Sequence, residues 1–121
     1  MSWRPFLNNP CRRSLGDCAV RAVAVALGID WYEAYDLLCA EGRLLCDMPS
    51  ADETWGAVLM QNGFSAPRMA YGETAEEFCL RHPHGVYVLA FGGHVATVVD
   101  GDLYDLWDSS GEAVRYYYAR R

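Results

Sequence analysis

Apolar stretches in the first two thirds of the chain each begin just after the same polar pattern, a Ser, Thr or Asp with an acidic residue three positions later. A side chain of this kind accepts hydrogen bonds from the free backbone amides at the start of a helix. The pattern therefore predicts four helices. They start at Ser14, Asp30, Ser50 and Thr74 and end before Gly28, Gly42, Gly63 and Pro83.

Beyond "HPHG" the pattern changes to short runs rich in Val, Tyr and Trp, separated by "GG", "DGD" and "SSG". These runs, "VYVLAF", "HVATVVD", "LYDLWDS" and "AVRYYYA", predict an antiparallel meander. The run "FSAPRMA" predicts an edge strand, because Pro67 lacks the amide hydrogen that a central strand needs for pairing with its neighbours. Helices first and strands second predict a single α+β domain over residues 1–121, with the helices packed on one face of the sheet.

Composition and charge narrow the class of function. At 121 residues, 52% of them hydrophobic, the chain is long enough for one well-filled core. The net charge of -6 argues against a nucleic-acid partner, because such binding depends on clustered Lys and Arg. No apolar run predicts a signal peptide or a membrane span. Five cysteines, an odd number, favour reduced thiols in the cytoplasm.

Cys18 lies in the first turn of the first predicted helix, whether Ser14 or Asp17 is the cap. Free amides and the positive end of the helix dipole favour the thiolate over the thiol at such a position. Burial is the alternative interpretation, since a free Cys among apolar neighbours such as Ala19 and Val20 is often a plain core residue.

His94 begins a predicted strand directly after two glycines, which leave room for a substrate backbone beside the imidazole. A three-residue turn over 100–102 pairs Val99 with Leu103 and therefore His94 with Asp108. Directly opposed residues have Cβ atoms about 4.5 to 5.5 Å apart, close enough for the carboxylate to hold the ring. A two-residue turn would instead place Trp107 opposite His94.

These features together resemble the papain-like cysteine peptidase superfamily. A Cys opens a central helix, "GHVA" stands where papain-type enzymes have "GHAV", and "WDS" stands where they have Asn or Asp followed by Ser. The chain is most similar to small bacterial and phage members, such as the double-glycine leader peptidases. It also resembles short phage proteins of gut bacteria in the runs "GDCAVRA", "DMPSADETWGA", "HPHGVYVLA" and "GHVATVVDGDLYDLWDS".

The resemblance implies a papain-like fold and a catalytic thiolate–imidazolium pair of Cys18 and His94, oriented by Asp108. It implies cleavage of a peptide, isopeptide or related amide bond in a protein or peptide substrate, with no cofactor. Where papain-like enzymes carry a Gln that binds the oxyanion, this chain has Arg12. Asn8, Asn9 or the Cys18 backbone amide would then be the donor.

Two other functions compete with this prediction. The departure at Arg12 and the short length favour a papain-like binding protein without turnover, such as a phage effector that sequesters a host protein. The run "CLRHPH" brings Cys79, His82 and His84 together, but no C-x-x-C motif supplies the remaining ligands of a zinc site. Hydrogen bonding of His82 or His84 to the last carbonyls of the fourth helix explains the run more simply, so we expect no metal.

Overall fold

A computed structural model describes residues 1–121, and all four predicted helices are present in it. Two begin as their caps predict: the Asp30 carboxylate accepts from the Glu33 amide at 2.8 Å, and Thr74 and Glu77 form a reciprocal capping box. None of the helices is long and apolar enough to cross a bilayer. Their bounds are α1 Cys18–Leu27, α2 Trp31–Leu45, α3 Asp52–Gln61 and α4 Ala75–Arg81.

The end of α2 differs from the prediction. The helix continues through Gly42 to Leu45, and the next residue, Cys46, caps it in a left-handed conformation with a φ of 55°. Gly42 has a different role: a Cβ atom there would lie 2.9 Å from the Asp47 carbonyl oxygen. The missing side chain thus lets the chain that leaves α2 fold back closely against the helix.

Six strands form one mixed sheet in the order β1-β5-β4-β3-β6-β2. Strands β3, β4 and β5 form the predicted meander, but β6 pairs with β3 on the other side of it. The strand predicted beside Pro67 is β2, at one edge, and an unpredicted β1 pairs in parallel with β5 at the other. The strands are β1 Ser2–Pro5, β2 Arg68–Met69, β3 Val86–Ala90, β4 Val95–Val99, β5 Asp102–Asp105 and β6 Tyr116–Ala119.

Helices cover both faces of the sheet, so the prediction that all of them pack on one face is wrong. Val88 of β3 joins a core with α1, α2 and α3, whereas its neighbour Leu89 joins a second core with Phe78 and Cys79 of α4. Successive residues of a strand point to opposite faces, which separates the two cores. The fold is therefore α+β, with the first three helices on one face and the short α4 on the other.

The β4–β5 hairpin has a shorter turn than predicted. Val99 pairs with Asp102, so only Asp100 and Gly101 form the turn, with φ angles of 49° and 80°. Two successive positive φ angles are the hallmark of a type I′ turn. Leu103 consequently pairs with Val98 instead of Val99, and every later residue moves by one position relative to the prediction.

Candidate active site

Cys18 is the first residue of α1 and lies half-buried at the amino-terminal end of the helix. Asp17, the residue before it, makes no side-chain capping bond to the helix. The backbone amide of Cys18 also has no acceptor within the chain. A free amide and the positive end of the helix dipole therefore lie beside the sulfur.

His94 stands at the end of a tight turn between β3 and β4. Its carbonyl oxygen accepts from the Phe91 amide at 2.8 Å, and Gly93 turns the chain with a φ of 76°. The imidazole lies next to two aromatic rings, with the Phe91 centroid 5.9 Å away and the Trp107 centroid 5.0 Å away. Its side chain is only 15% exposed, so the ring has little freedom to move.

Asp105, not Asp108, holds the imidazole. His94 Nε2 lies 2.7 Å from Asp105 Oδ2, while the exposed Asp108 accepts from the Ser110 amide at 3.1 Å. The prediction of Asp108 as the third group was wrong because it assumed the longer turn. In the observed register Trp107 lies beside His94, and Asp105, two residues earlier, reaches the ring diagonally.

The Asp105 carboxylate is completely buried, and both of its oxygens accept hydrogen bonds. Besides His94, Oδ2 accepts from the Ser109 hydroxyl at 2.5 Å, and Oδ1 accepts from the Leu106 amide at 2.7 Å. Arg21 Nη2 is 3.4 Å from Oδ1. Several donors compensate for the loss of water, which allows a charged group to remain in the interior.

Arg21 connects this carboxylate to a second one. It is 4% exposed and donates to Asp17 Oδ1 at 2.8 Å, one helical turn before it on α1. The other oxygen of Asp17 accepts from Trp31 Nε1 at 2.9 Å. A buried chain of charged hydrogen bonds therefore runs from Trp31 through Asp17 and Arg21 to Asp105.

The surroundings of Cys18 favour its thiolate. Burial raises the pKa of the thiol, but hydrogen bonds from the His94 ring and the Val95 amide outweigh it, together with the charges of His94 and Arg21. The net result is a pKa below the ordinary value of 9.0. Asp105 occupies Nε2, which leaves Nδ1 as the ring nitrogen of His94 that is available to the thiol.

The same contacts favour the imidazolium. Burial lowers the pKa of His94, but hydrogen bonds to Asp105 and Cys18 and the charges of both raise it to about 9. For Asp105, burial raises the pKa and the bonds from His94, Ser109 and Leu106 more than compensate, so its pKa lies below the ordinary range. The thiol, the imidazole and the carboxyl group thus each favour the charged form: a thiolate, an imidazolium and a carboxylate.

A cleft of about 400 Å³ gives access to the sulfur and the ring. On one side it is bounded by Leu15 and Gly16, which precede α1, and on the other by Gly93 and Trp107. A Cβ atom at Gly16 or Gly93 would meet nothing within 4 Å. Extended backbone of a substrate therefore has room to approach Cys18 from either side.

Neither asparagine predicted as an oxyanion donor lines this cleft. Asn9 is buried, and its Oδ1 accepts from the amides of Cys11 and Arg13 in the turn before α1. The Asn8 Oδ1 is also buried and has no hydrogen-bond partner. The donor that the structure does place beside the sulfur is the free backbone amide of Cys18.

The second group of Cys and His residues has a structural environment. Cys79 lies on the buried side of α4, and the Nδ1 of His82 is 2.9 Å from the Phe78 carbonyl oxygen, at the end of that helix. His84 is exposed on the loop that follows. No group of three or more His, Cys, Asp or Glu side chains in the structure is close enough to hold a metal ion.

Comparison of the chain with models of protein families, with curated proteins and with solved structures gave no significant match.

Proposed function

We propose that this protein is a papain-like cysteine hydrolase that cleaves a peptide, isopeptide or related amide bond with Cys18, His94 and Asp105. The observation that carries the proposal is the position of one imidazole between a thiol at a helix start and a fully buried carboxylate. A nucleophile, a base and a group that orients the base are the parts that covalent acyl transfer needs.

The reaction begins with attack of the Cys18 thiolate on the carbonyl carbon, which forms a C–S bond and places a negative charge on the oxygen. As this intermediate collapses, the C–N bond breaks and the His94 imidazolium gives its proton to the departing amine. A water molecule then loses a proton to His94 and attacks the thioester. The C–S bond breaks, the acid leaves and the thiolate–imidazolium pair is restored.

The Cys18 backbone amide supports the charged oxygen in this scheme, because it points from the helix start without an acceptor of its own. In enzymes that have several donors, removal of one costs about 2.7 to 4 kcal/mol of barrier. The absence of an Asn or Gln side chain from the cleft lining therefore favours a slow enzyme over a fast one.

The same absence supports a second candidate, a papain-like protein that binds a partner in this cleft without turnover. Scaffold and site geometry alone do not establish activity. The two candidates differ in one observable, the appearance of new amines after the protein meets a mixture of peptides.

The test is incubation with a digest of cellular proteins, followed by mass spectrometry of new peptide ends. We expect cleavage by the wild type and by Cys11→Ser, whose side chain is exposed outside the cleft, and none by Cys18→Ala. Cleavage should decline above about pH 9, where His94 loses its proton, and at low pH, where Cys18 gains one. Rapid alkylation of Cys18 without any cleavage would favour the binding protein.

A further inference from the structure

A pocket of about 230 Å³ lies next to the cleft. Leu15, Gly16 and Ser50 line both spaces, so the pocket and the cleft adjoin beside the residues that lead into α1. Asp17 and Ala19, the neighbours of Cys18 in the chain, also line it. The pocket therefore lies next to the part of the cleft that contains Cys18.

The walls of the pocket are apolar and aromatic. Trp31 and Tyr35 of α2 stack with their ring centroids 5.1 Å apart, and Val20 of α1 and Pro49 complete the lining. Tyr35 is 45% exposed and Leu15 is 41% exposed, so apolar surface faces solvent at this point. Covering such surface stabilises a complex in proportion to the apolar area removed from water.

The pocket offers no free charge to a ligand. Asp17 is the only charged residue in its lining, and it is 6% exposed. Its two carboxylate oxygens are already occupied by Arg21 and by Trp31 Nε1. A charged ligand group would therefore lose its hydration here without gaining a partner.

The size and rigidity of the pocket fit one large side chain. A cavity of about 150 Å³ already accepts a benzene molecule, and this one is larger. The Trp31 ring is fixed by its bond to Asp17, which belongs to the same buried chain of contacts that holds Asp105. A wall that is already in position costs little ordering free energy when a ligand binds.

We propose that this pocket binds a single large apolar side chain of the substrate, of leucine or phenylalanine size, next to the amide bond that Cys18 attacks. The inference rests on the proposed function, and it names the class of substrate as peptides with a bulky hydrophobic residue beside the cleaved bond. Peptides with Asp, Glu or Gly at that position are poor substrates, because the pocket gains nothing from them.

Alkylating reagents test the pocket independently of hydrolysis. Iodoacetamide and its N-benzyl and N-phenethyl derivatives all form a C–S bond with Cys18 and release iodide, but only the derivatives carry a ring. We expect the better derivative to react with Cys18 about tenfold faster than iodoacetamide, and to show saturation with concentration, because burial of a ring stabilises the encounter complex. With free cysteine in solution the reagents should react at similar rates, which provides the reference.

Two tyrosines on α2 give a matched pair of variants. Tyr35 lines the pocket, whereas Tyr32 also contacts Trp31, edge-on at 5.7 Å, but lies outside the lining. Both are exposed, so neither substitution removes core packing. Tyr35→Ala should abolish most of the rate advantage that the ring-bearing derivatives have over iodoacetamide. Tyr32→Ala should leave that rate advantage unchanged.

The outcomes separate the two proposals. Fast reaction of Cys18 with iodoacetamide but no gain from a ring, or a gain that Tyr35→Ala leaves intact, overturns the pocket and spares the cysteine hydrolase. If Cys18 reacts slowly with iodoacetamide but faster with the derivatives that carry a ring, the result supports the pocket and contradicts the cysteine hydrolase.

Discussion

The molecule contains two regions where a cysteine, a histidine and a helix meet, one associated with each face of the sheet. At the first, Cys18 and His94 line the same cleft, His94 lowers the pKa of the Cys18 thiol, and the His94 ring is hydrogen-bonded to Asp105. At the second, Cys79 and His82 lie within one turn of α4, and His82 stacks on Phe78 with the ring centroids 4.0 Å apart. The two regions use similar residues but have opposite electrostatics.

Burial alone does not distinguish the two thiols, because it raises the pKa of both. For Cys79, burial raises the pKa, the positive charge of the chain's amino terminus offsets part of this, and the negative charges of Asp102 and Glu76 add to it, so the pKa rises to about 11. For Cys18, burial is outweighed by His94, the Val95 amide and Arg21. The fraction of a cysteine present as thiolate in this fold therefore depends on the hydrogen-bond donors and charges around the sulfur as well as on its burial.

The largest expected difference between the regions is the rate of alkylation at neutral pH. Cys79 with a pKa of about 11 has only ~10⁻⁴ of its thiol ionised there, and its side chain is buried. We expect Cys18 to react with iodoacetamide faster than Cys79 by on the order of 10³-fold, as measured by mass spectrometry of isotope-coded labels. In denaturant the two rates should converge. Equal rates in the folded protein would contradict the comparison.

The next effect is on stability, and it compares two arginines. Arg21→Met leaves Asp17 without its cation and removes one partner of Asp105, both in the interior, which should lower the free energy of unfolding by about 3 to 5 kcal/mol. Arg81→Met removes an exposed pair with Glu73 beside α4 and should cost about 0 to 1 kcal/mol. Urea unfolding measures both values. Losses of equal size would show that the buried network does not stabilise the first region.

A smaller effect separates Asp105, the last residue of β5, from Asp108, three residues later. Asp105→Asn removes the carboxylate that raises the pKa of His94, so less imidazolium remains to stabilise the thiolate. Alkylation of Cys18 at neutral pH should fall about tenfold, the change expected for one pKa unit. Asp108→Asn alters an exposed side chain and should change the rate less than about twofold. A larger effect from Asp108 than from Asp105 would overturn the observed register.

Most of the fold is predictable because its signals are local. The pairs Asp30 with Glu33 and Thr74 with Glu77 form caps as the sequence indicates. The pairing of β6 with β3 and the parallel β1 are not predictable in this way, because they join residues far apart in the chain. The prediction that α2 ends at Gly42 is wrong because the sequence alone does not distinguish a glycine needed for close packing from one that ends a helix.

At the site, the sequence predicts Cys18 and His94 but not their partners. The Asp-Gly dipeptide at 100–101 is the signal that would have found Asp105, because it favours the two-residue type I′ turn. The spacing of Asp17 and Arg21 along the helix indicates that they can form an ion pair, but it does not reveal that the pair is buried. Only the packing of α1 against β4 and β5 brings that arginine to Asp105.

The most direct measurement is the pH dependence of Cys18 alkylation in the wild type and in His94→Ala. In the wild type the rate should reach half its maximum below pH 9.0, the ordinary value for the thiol. In His94→Ala, burial still raises the pKa while the hydrogen bond and the charge of the ring are gone, so the midpoint should move to higher pH. The same midpoint in both proteins would show that His94 does not activate Cys18.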